Sequence, residues 1–547
     1  MSNSLMNTGI SGLNTAQNML NVISNNISNA HTVGYNRQQQ ILRQANGTKY
    51  NFGFVGNGVA VSSVNRAYNS FVVGQLRQSQ SQNGSIKAYY NELSKVDNLL
   101  AENENSISSQ LNNLFASLNK LSSNAGDAAT KQTVISDLTS LVSQFNKTEL
   151  NLKNQIANIN TELTNNIDKV NTYTQQIADL NQKIAKLQAV SGGHEPNSLL
   201  DERDQLVTEL SELIGITVSE QNGQYNISLS NGLSLVQGAS TNQLAVQPSA
   251  SDPALNTIIY THNSGATQEL TSQNIASGRL NGLLAFRDGP LLEARNQLGL
   301  LALNLAERFN EVHTAGVDIN GDPGEKLFDY HKPTSIANSQ NQGNATVKMD
   351  YNSVTEVKAS DYKIEFNGND WVVTRLSDNQ QITPQVSDGK LVFDGLSIEI
   401  TGNAVAGDSF LLKPVADVAS SLQLLVKDVN KLATGINDDE NGSGDNRNVA
   451  KLLDIQNEKL VNGTKTLNSA YTSLVSYIGS ETQTAKISAQ SSQNITQEIY
   501  EQNQSISGVN IEEEYISMQV YMQYYQANAK VIDAATTIFD TILGLAK

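Results

Sequence analysis

Apolar residues recur every three or four positions near both ends of the chain, a spacing typical of amphipathic helices. The last helix carries the most regular pattern, in steps of four and three from residue 511 onward. Both ends therefore carry one narrow apolar stripe, which can bury little within a single chain. We expect these stripes to pack against each other and against neighbouring chains. The stripes comprise Ile10, Leu13, Ala16, Leu20, Ile23 and Ile27 at one end, and Ile511, Tyr515, Met518, Met522, Tyr525, Ala529, Ile532, Thr536, Phe539 and Leu543 at the other.

Longer helices are predicted inside these ends. Apolar residues keep helical spacing over 86–100, 107–121 and 134–187, followed by a shorter helix over 197–213. The third segment would be roughly 80 Å long as a single helix. A helix of that length with a near-heptad stripe needs partners, so we expect a coiled-coil-like bundle.

The middle of the chain changes to alternating patterns that indicate β-strands. Hairpin turns are indicated by Asn222-Gly223 and Asn231-Gly232, and a second β region extends over about 345–414. Helical patterns return over 278–313, 417–433 and from 449 to the end. The predicted fold class is α+β and multidomain, with a long antiparallel coiled-coil-like bundle built from both chain ends and β-rich domains inserted into it.

This layout predicts four structural units. Residues 1–36 and 505–547 form a terminal coiled coil, expected to be disordered in the free monomer. Residues 37–215, 276–313 and 415–504 form the helical bundle domain. Residues 216–275 and 314–344 form one β-rich insertion, and residues 345–414 form a second.

Composition removes several classes of function. The 547 residues contain no cysteine, eight prolines, 36 Lys+Arg and 53 Asp+Glu, for a net charge of −17. Disulfides and cysteine-ligated metal sites are excluded, and the acidic chain is poorly suited to nucleic acid. No apolar run approaches the ~20 residues of a membrane helix, so we expect no membrane partner. The N-terminus lacks the basic and apolar regions of a cleaved signal peptide.

No catalytic, cofactor or metal site is predicted. The five histidines are scattered, and no nucleotide-binding, hydrolase or metalloprotease motif occurs, so an enzyme is not expected. Residues 318–324 (DINGDPG) place oxygen ligands at alternate positions, as in the first half of a calcium loop, but Pro323 stands where that loop needs glycine. An Asx-rich turn is the alternative. The acidic stretch 438–445 is interpreted as a solvated linker.

Both ends carry sequence motifs of a known group of proteins. SGLNTAQ (11–17), SNNISN (24–29) and TVGYNR (32–37) resemble the N-terminal signature of bacterial flagellar rod, hook and hook-associated proteins. SGVNIEEEY (507–515) and YQANAKVI (525–532) resemble the signature at the other end. Inside the chain, VGNGV (55–59), LLDERDQLV (199–207) and GDNRN (444–448) are similar to the hook-associated protein 1 family.

The resemblance implies a structural adaptor between flagellar hook and filament that self-assembles into a helical layer. Its terminal helices would fold on incorporation and pair in an inner tube, after export through the flagellar type III channel without a cleaved signal. Implied partners are further copies of the chain, the hook protein, the second hook–filament junction protein and a cytoplasmic export chaperone bound to the C-terminal helix. A secreted coiled-coil adhesin or effector, or another rod or hook protein, is the alternative.

The predicted assembly interface consists of residues on the two terminal stripes and at the turn that follows the first helix. These residues are Leu13, Leu20, Ile27, Gly34, Tyr35, Arg37, Ile511, Tyr515, Met518, Met522, Tyr525, Ala529, Ile532 and Phe539.

Overall fold

The computed structural model describes residues 2–51, 53–102, 106–192, 194–262, 265–437, 442 and 444–545. Helices dominate both ends of the chain and strands occupy the interior. The helices are α1 (Ser2–Ser28), α2 (Ser70–Leu100), α3 (Ile107–Ser123), α4 (Ala128–Val190), α5 (Asn197–Leu213), α6 (Arg279–Phe286), α7 (Leu292–Thr314), α8 (Val418–Ser421), α9 (Arg447–Asp454), α10 (Leu467–Ser507) and α11 (Ile511–Leu545).

The strands form small antiparallel sheets. The strands before α6 are β1 (Gln38–Gln44), β2 (Thr48–Tyr50), β3 (Gly53–Val55), β4 (Val59–Arg66), β5 (Ile216–Gln221), β6 (Gln224–Leu229), β7 (Ser234–Gln237), β8 (Ser240–Thr241), β9 (Leu244–Pro248), β10 (Asn256–Thr261) and β11 (Thr267–Leu270). Those after α7 are β12 (Phe328–Asp329), β13 (Thr334–Ala337), β14 (Thr346–Tyr351), β15 (Tyr362–Phe366), β16 (Trp371–Arg375), β17 (Gln380–Ile382), β18 (Gln385–Ser387), β19 (Lys390–Phe393), β20 (Leu396–Thr401), β21 (Ser409–Lys413) and β22 (Gln423–Leu424).

The helical bundle is organised around α4, which has 63 residues and is about 95 Å long. Its buried stripe packs against α3, α5 and the inserted strands. The α2 and α10 helices run antiparallel, because Ser79 contacts Thr496 near one end of α2 and the Tyr471 hydroxyl donates to the carbonyl of Leu100 at the other. The predicted bundle of long helices from both halves of the chain is confirmed.

The most deeply buried helix of the bundle is α7, which is covered on nearly every side between Leu298 and Phe309, whereas α4 is buried along one stripe. This segment contains the most apolar run of the sequence. A π-helical turn, Arg287–Leu291, joins it to α6 and contains Pro290, which has no N–H to donate to a regular helical ladder. The helix predicted over 278–313 is therefore continuous, with a π-helical turn at its proline.

The inserted strands form two β-rich regions. The first contains a four-stranded sheet (order β5-β6-β7-β8) and a three-stranded sheet (β11-β10-β9). The second contains a five-stranded sheet (β13-β21-β15-β16-β17) and a four-stranded sheet (β14-β20-β19-β18). In the five-stranded sheet, buried Ile364 pairs with Val373 on one side and with Phe410 on the other. The α+β fold class, with β-rich insertions in a helical frame, is confirmed.

Strand pairing in the second region differs from the predicted assignment of 314–344 to the first insertion. The β13 strand, Thr334–Ala337, pairs with β21 and so completes a sheet of the second region. The short strand β12 pairs with β22, which follows the second region in the sequence, and so it also has no partner in the first insertion. Pairing between distant strands leaves no signal in local periodicity, which explains the difference.

One helix prediction before the C-terminal helices is wrong. Residues 417–433 contain only the four-residue α8, a short strand and a 3-10 turn. From Leu422 to Val426 buried and exposed residues alternate, which is a strand-like pattern that the helical spacing of the same leucines concealed. The helical prediction after 449 is confirmed except at the breaks between helices, since α9 ends at Asp454, α10 begins at Leu467 and α11 begins at Ile511.

We expect the buried stripe of α4 to control the stability of the bundle. Leu141 is fully buried, whereas Leu150, on the same helix, is 56% exposed. Leu141→Ala should lower the free energy of unfolding by about 2–5 kcal/mol, because it leaves a cavity. Leu150→Ala is the matched control and should change it by less than about 0.5 kcal/mol. Urea unfolding followed by circular dichroism would measure both, and equal effects would contradict the assignment of the core.

Candidate assembly interface

The two chain ends form an antiparallel helix pair. Residues early in α1 contact residues late in α11, and Asn26, late in α1, contacts Glu514 in the first turn of α11. The helices approach closely because Gly9 and Gly12 present no side chain to the partner. A Cβ atom at Gly9 would lie 2.8 Å from Ile532 Cγ1, and one at Gly12 would overlap the side chain of Asn528.

Pairing with α1 leaves much of the apolar surface of α11 uncovered. Among the described residues of α11, only Glu514 and Ala535 are buried. The side of α11 that faces α1 carries Glu514, Met518, Ile532 and Ala535. It is therefore rotated about the helix axis from the apolar stripe that the sequence spacing predicts. The other side of that stripe faces outward.

The fourteen predicted interface residues therefore divide into two groups. Ile511, Tyr515, Met522, Tyr525 and Phe539 are exposed, at 38–53% of their surface. The remaining nine are half-buried, either between α1 and α11 or at the turn after α1, and are Leu13, Leu20, Ile27, Gly34, Tyr35, Arg37, Met518, Ala529 and Ile532.

A polar cluster joins this helix pair to the rest of the molecule, and we call it the terminal joint: Asn26, Gly34 to Gln38, Asp201, Asp204, Ser507 and Glu514. Asn26 is its centre. Its Nδ2 donates to Glu514 Oε2 (3.1 Å) and to the carbonyl of Gln38 (3.0 Å), while its Oδ1 accepts from the Tyr35 hydroxyl (2.7 Å) and from the Gln38 N–H (3.0 Å). One buried amide thus connects both chain ends to the first strand.

The turn between α1 and β1 has a fixed shape. Gly34 has φ +81°, a conformation that glycine adopts without strain, and its backbone passes directly over Gln205 of α5. Arg37 then donates its backbone N–H to the carbonyl of Ser507 (2.8 Å) and places its guanidinium 3.5 Å from Glu513. Burial, together with the charges of Asp201 and Glu514, raises the pKa of Tyr35 to about 12.

Two aspartates on one face of α5 anchor the joint to the bundle. Asp201 accepts from the side chain of Asn36 (2.6 Å) and from Arg66 Nη1 (2.9 Å), which also bonds to Asp204 (2.8 Å). Asp204 accepts in addition from Arg77 Nη2 (2.8 Å) and the Tyr225 hydroxyl (2.7 Å). These carboxylates and guanidinium groups are almost fully buried.

The charge state of the cluster follows from its arginines. Burial acts to raise the pKa of Asp204, but Arg77 and Arg66 outweigh it and hold that pKa below its ordinary value. Asp201, which shares only Arg66, has a raised pKa because burial dominates. In the sequence, LLDERDQLV stands out only as a family signature. Its i, i+3 pair of aspartates, in a chain of low charge content, was the available sign of a buried ionic cluster.

The loop at residues 318–324 is arranged as an Asx turn with a lysine beside it. Asp318 Oδ1 accepts from the backbone N–H groups of Asn320 (2.8 Å) and Asp322 (3.0 Å). Lys431 Nζ lies 3.1 Å from Asp318 Oδ2 and 3.2 Å from Asp322 Oδ2. The lysine ammonium thus occupies the position from which a cation would neutralise both carboxylates. Within the described ranges, no cluster of three or more acidic or histidine side chains is placed to hold a metal ion.

A buried histidine holds the base of the same loop. The Nδ1 atom of His313 bonds to the carbonyl of Glu325 (2.5 Å), and its Nε2 accepts the N–H of Ala433 (2.9 Å). This arrangement requires a neutral ring, and burial lowers the pKa of His313 to about 4. The acidic stretch 438–445, interpreted as a linker, lies mostly outside the described residues.

Comparison with known proteins relates these features to a family. Residues 93–328 match the family model described as the flagellar hook-associated protein FlgK helical domain, and residues 336–414 match the D2-like domain of flagellar hook-associated protein 1. The ends match models of the flagella basal body rod protein (6–36) and of the flagellar basal body rod FlgEFG protein C-terminal region (501–545). Flagellar hook-associated protein 1 of Escherichia coli is 44% identical over 99% of this chain and 100% of its own length. The chain belongs to the flagellar hook-associated protein 1 family.

Further relatives agree with this assignment. Flagellar hook-associated protein 1 of Salmonella typhimurium is 43% identical over 99% of this chain and all of its own. The structure of the flagellar hook junction protein FlgK from Burkholderia pseudomallei aligns with a TM-score of 0.73 and 26% identity, covering 79% of this chain and 100% of that one. As a hook-associated protein 1, the chain is a structural adaptor of the flagellum at the hook–filament junction. None of its described helices is long and apolar enough to cross a membrane.

We expect Asp204→Ala to weaken the attachment of the terminal joint strongly. It leaves two buried arginines short of a partner, and breaking such a buried pair costs about 3–5 kcal/mol. Glu202→Ala changes a neighbouring carboxylate that is exposed, and it should shift stability by less than about 0.5 kcal/mol. Thermal unfolding of both purified variants would measure the effect, because Asp204 also bonds to Arg77 of α2 and Tyr225 of β6. Equal stability of the two would contradict the anchoring role.

His313 should make the folded protein sensitive to mild acid. Its pKa of about 4 lies below the ordinary 6.5, so the unfolded chain binds a proton between those values that the folded chain does not. Stability should therefore fall as pH decreases from 6.5 to 4, by up to about 3 kcal/mol from this group. Urea unfolding at several pH values should give a smaller decrease for His313→Asn. The exposed His331→Asn is the control and should keep the parent slope.

Proposed function

We propose that copies of this chain assemble into a helical layer that joins hook to filament, and that the outward side of α11 is the surface through which copies meet. The supporting observation is the incomplete cover of α11: its apolar residues exceed what a single partner helix can bury. Such a patch on a secreted structural protein indicates an interface with other chains.

In this proposal the terminal helices form the inner part of the layer. Residues 1–36 and 505–547 form an inner tube, the bundle (37–215, 276–313 and 415–504) forms the next shell, and the two β-rich regions face outward. The terminal helices are disordered before incorporation and fold when a growing tip supplies partners. Folding coupled to assembly prevents premature polymerisation while still permitting a large interface.

The proposed partners follow from the position of the layer. They are further copies of the chain, the hook protein on one side, the second hook–filament junction protein on the other, and a cytoplasmic export chaperone that covers the C-terminal helix before export. The protein would leave the cell through the flagellar export channel without a cleaved signal and act in the extracellular flagellum. We propose no catalytic role for it.

Met522→Asp tests the proposal with little effect on the fold of a single chain. Met522 is 43% exposed in the monomer, so the charge is tolerated there, but burial of an unpaired carboxylate at a contact between copies is strongly unfavourable. In cells whose only copy of this protein is the variant, electron microscopy should find hooks without filaments, and the purified variant should keep its thermal stability.

Gln523→Asp is the matched control, because it adds the same charge at the next exposed position, on the polar side of α11. It should support normal filaments. Normal filaments with both variants would contradict the proposed surface. Normal filaments in cells lacking the protein altogether would reject the junction role and favour the adhesin alternative.

A further inference from the structure

Charge is distributed unevenly between the two ends of the chain. Residues 1–91 contain six Lys or Arg residues and no Asp or Glu, in a protein whose net charge is −17. Residues 487–529 contain five Glu residues and no Lys or Arg. The N-terminal end is thus the basic region of an acidic molecule, and the start of the C-terminal pair of helices is one of its acidic regions.

The basic region includes a hairpin that follows the terminal joint in the chain and lies against α1. Strands β1 and β4 pair over seven residue positions with one irregularity, and the shorter β2 and β3 extend the same ribbon to its tip. Phe54, near the tip, is 77% exposed, and Ile41 and Leu42 are 49% and 40% exposed. The start of β4 rests on α1, where the Val59 N–H donates to the Ser11 hydroxyl (3.3 Å), so the uncovered parts of the ribbon are its tip and the exposed residues of β1.

The charges of the hairpin are also unused within the chain. Arg43 and Lys49 are exposed, and among the residues that the structure describes neither forms an ion pair. Arg66, at the base of the hairpin, is by contrast fully engaged with Asp201 and Asp204. The base is therefore fixed within the chain, while the tip presents apolar and positive groups to its surroundings.

The acidic region has the complementary character. Glu498, Glu501 and Glu512 are exposed along the end of α10 and the start of α11. Exposed apolar side chains lie among them: Ile495, Tyr500, Ile511, Tyr515 and Ile516. Apolar groups rimmed by charge of one sign form a surface suited to a partner with apolar groups and the opposite charge.

We propose that the β1–β4 hairpin of one copy docks through Phe54, Arg43 and Lys49 onto the acidic segment 487–516 of a neighbouring copy. This inference rests on the proposed self-assembly and identifies a contact in addition to the outward stripe of α11. A second copy is the occupant because the two surfaces match in both apolar character and charge, and because a helical layer brings the same two surfaces together at every step. The contact between Arg37 and Glu513 within one chain is a smaller example of the same attraction.

Cross-linking can test the contact directly, because the natural chain contains no cysteine. One variant carries Asn51→Cys in the hairpin and another carries Gln502→Cys at the end of α10, both at exposed positions. The two variants are produced together in cells that lack the natural protein, and isolated flagella are treated with a short bismaleimide. The expected product is a dimer that contains one chain of each variant, identified by mass spectrometry.

Val386→Cys provides the control, since Val386 is 75% exposed but lies in the second β-rich region. Combined with Gln502→Cys it should give no mixed dimer. Mixed dimers that form with Asn51→Cys but not with Val386→Cys support the contact. Their absence from flagella that carry normal filaments overturns it, and so does equal cross-linking with Val386→Cys.

Charge reversal distinguishes docking from a structural role of the hairpin. Adding Arg43→Glu and Lys49→Glu should reduce the mixed dimer about tenfold, since like charges then face each other. Adding Glu498→Arg and Glu501→Arg to the partner variant should restore the mixed dimer. A folding defect in the hairpin could not be rescued in this way, because the restoring changes lie in the other chain. If the reversal has no effect, or is not rescued, the inference is wrong even where filaments form. Failure of the Met522→Asp test would instead reject the proposed function.

Discussion

The amount of apolar surface that the contact between α1 and α11 can bury governs how this molecule is built. One helix can cover only one side of another, and α11 is apolar on more than one side. The glycines of α1 bring the two helices close together, which strengthens their contact. The close contact covers only a narrow strip of the surface of α11. The single chain is therefore left with an apolar surface at its end. In a soluble domain that surface would favour aggregation, whereas in a protein built into a helical layer it can be the means of assembly.

A narrow helix pair needs a second constraint to hold its direction, and the terminal joint supplies it. Asn26 connects the two ends, and the paired aspartates of α5 connect them to the bundle through Arg66 and Arg77. Buried ionic groups contribute little net stability compared with apolar packing, but they fix geometry, because a displaced partner leaves a charge buried alone. The turn at Gly34 lies directly on this cluster, so the orientation of the terminal pair depends on the bundle to which it is attached.

Periodicity was a good guide where helices are long, and it failed where tertiary pairing decides. The stripes of α2, α4 and α11 were visible because an apolar residue recurs at nearly every turn. Residues 417–433 were misassigned because their leucines and valines fit helical spacing, whereas Leu422, Leu424 and Val426 also fit strand alternation and pairing of β22 with β12 selects the strand. The position of β13 in the second β-rich region depends on a partner more than 70 residues away.

The sequence by itself determined the α+β class, the apolar stripes at both ends and the absence of disulfide chemistry, since each depends on residue types or local spacing. The family motifs indicated the structural role in the flagellum. Only the tertiary structure decided which side of α11 faces α1, because a heptad pattern defines a stripe but not the rotation of the helix about its axis. It also decided that Asp201 and Asp204 are anchors and that Lys431 neutralises the loop at 318–324, since both depend on side chains brought together from distant parts of the chain.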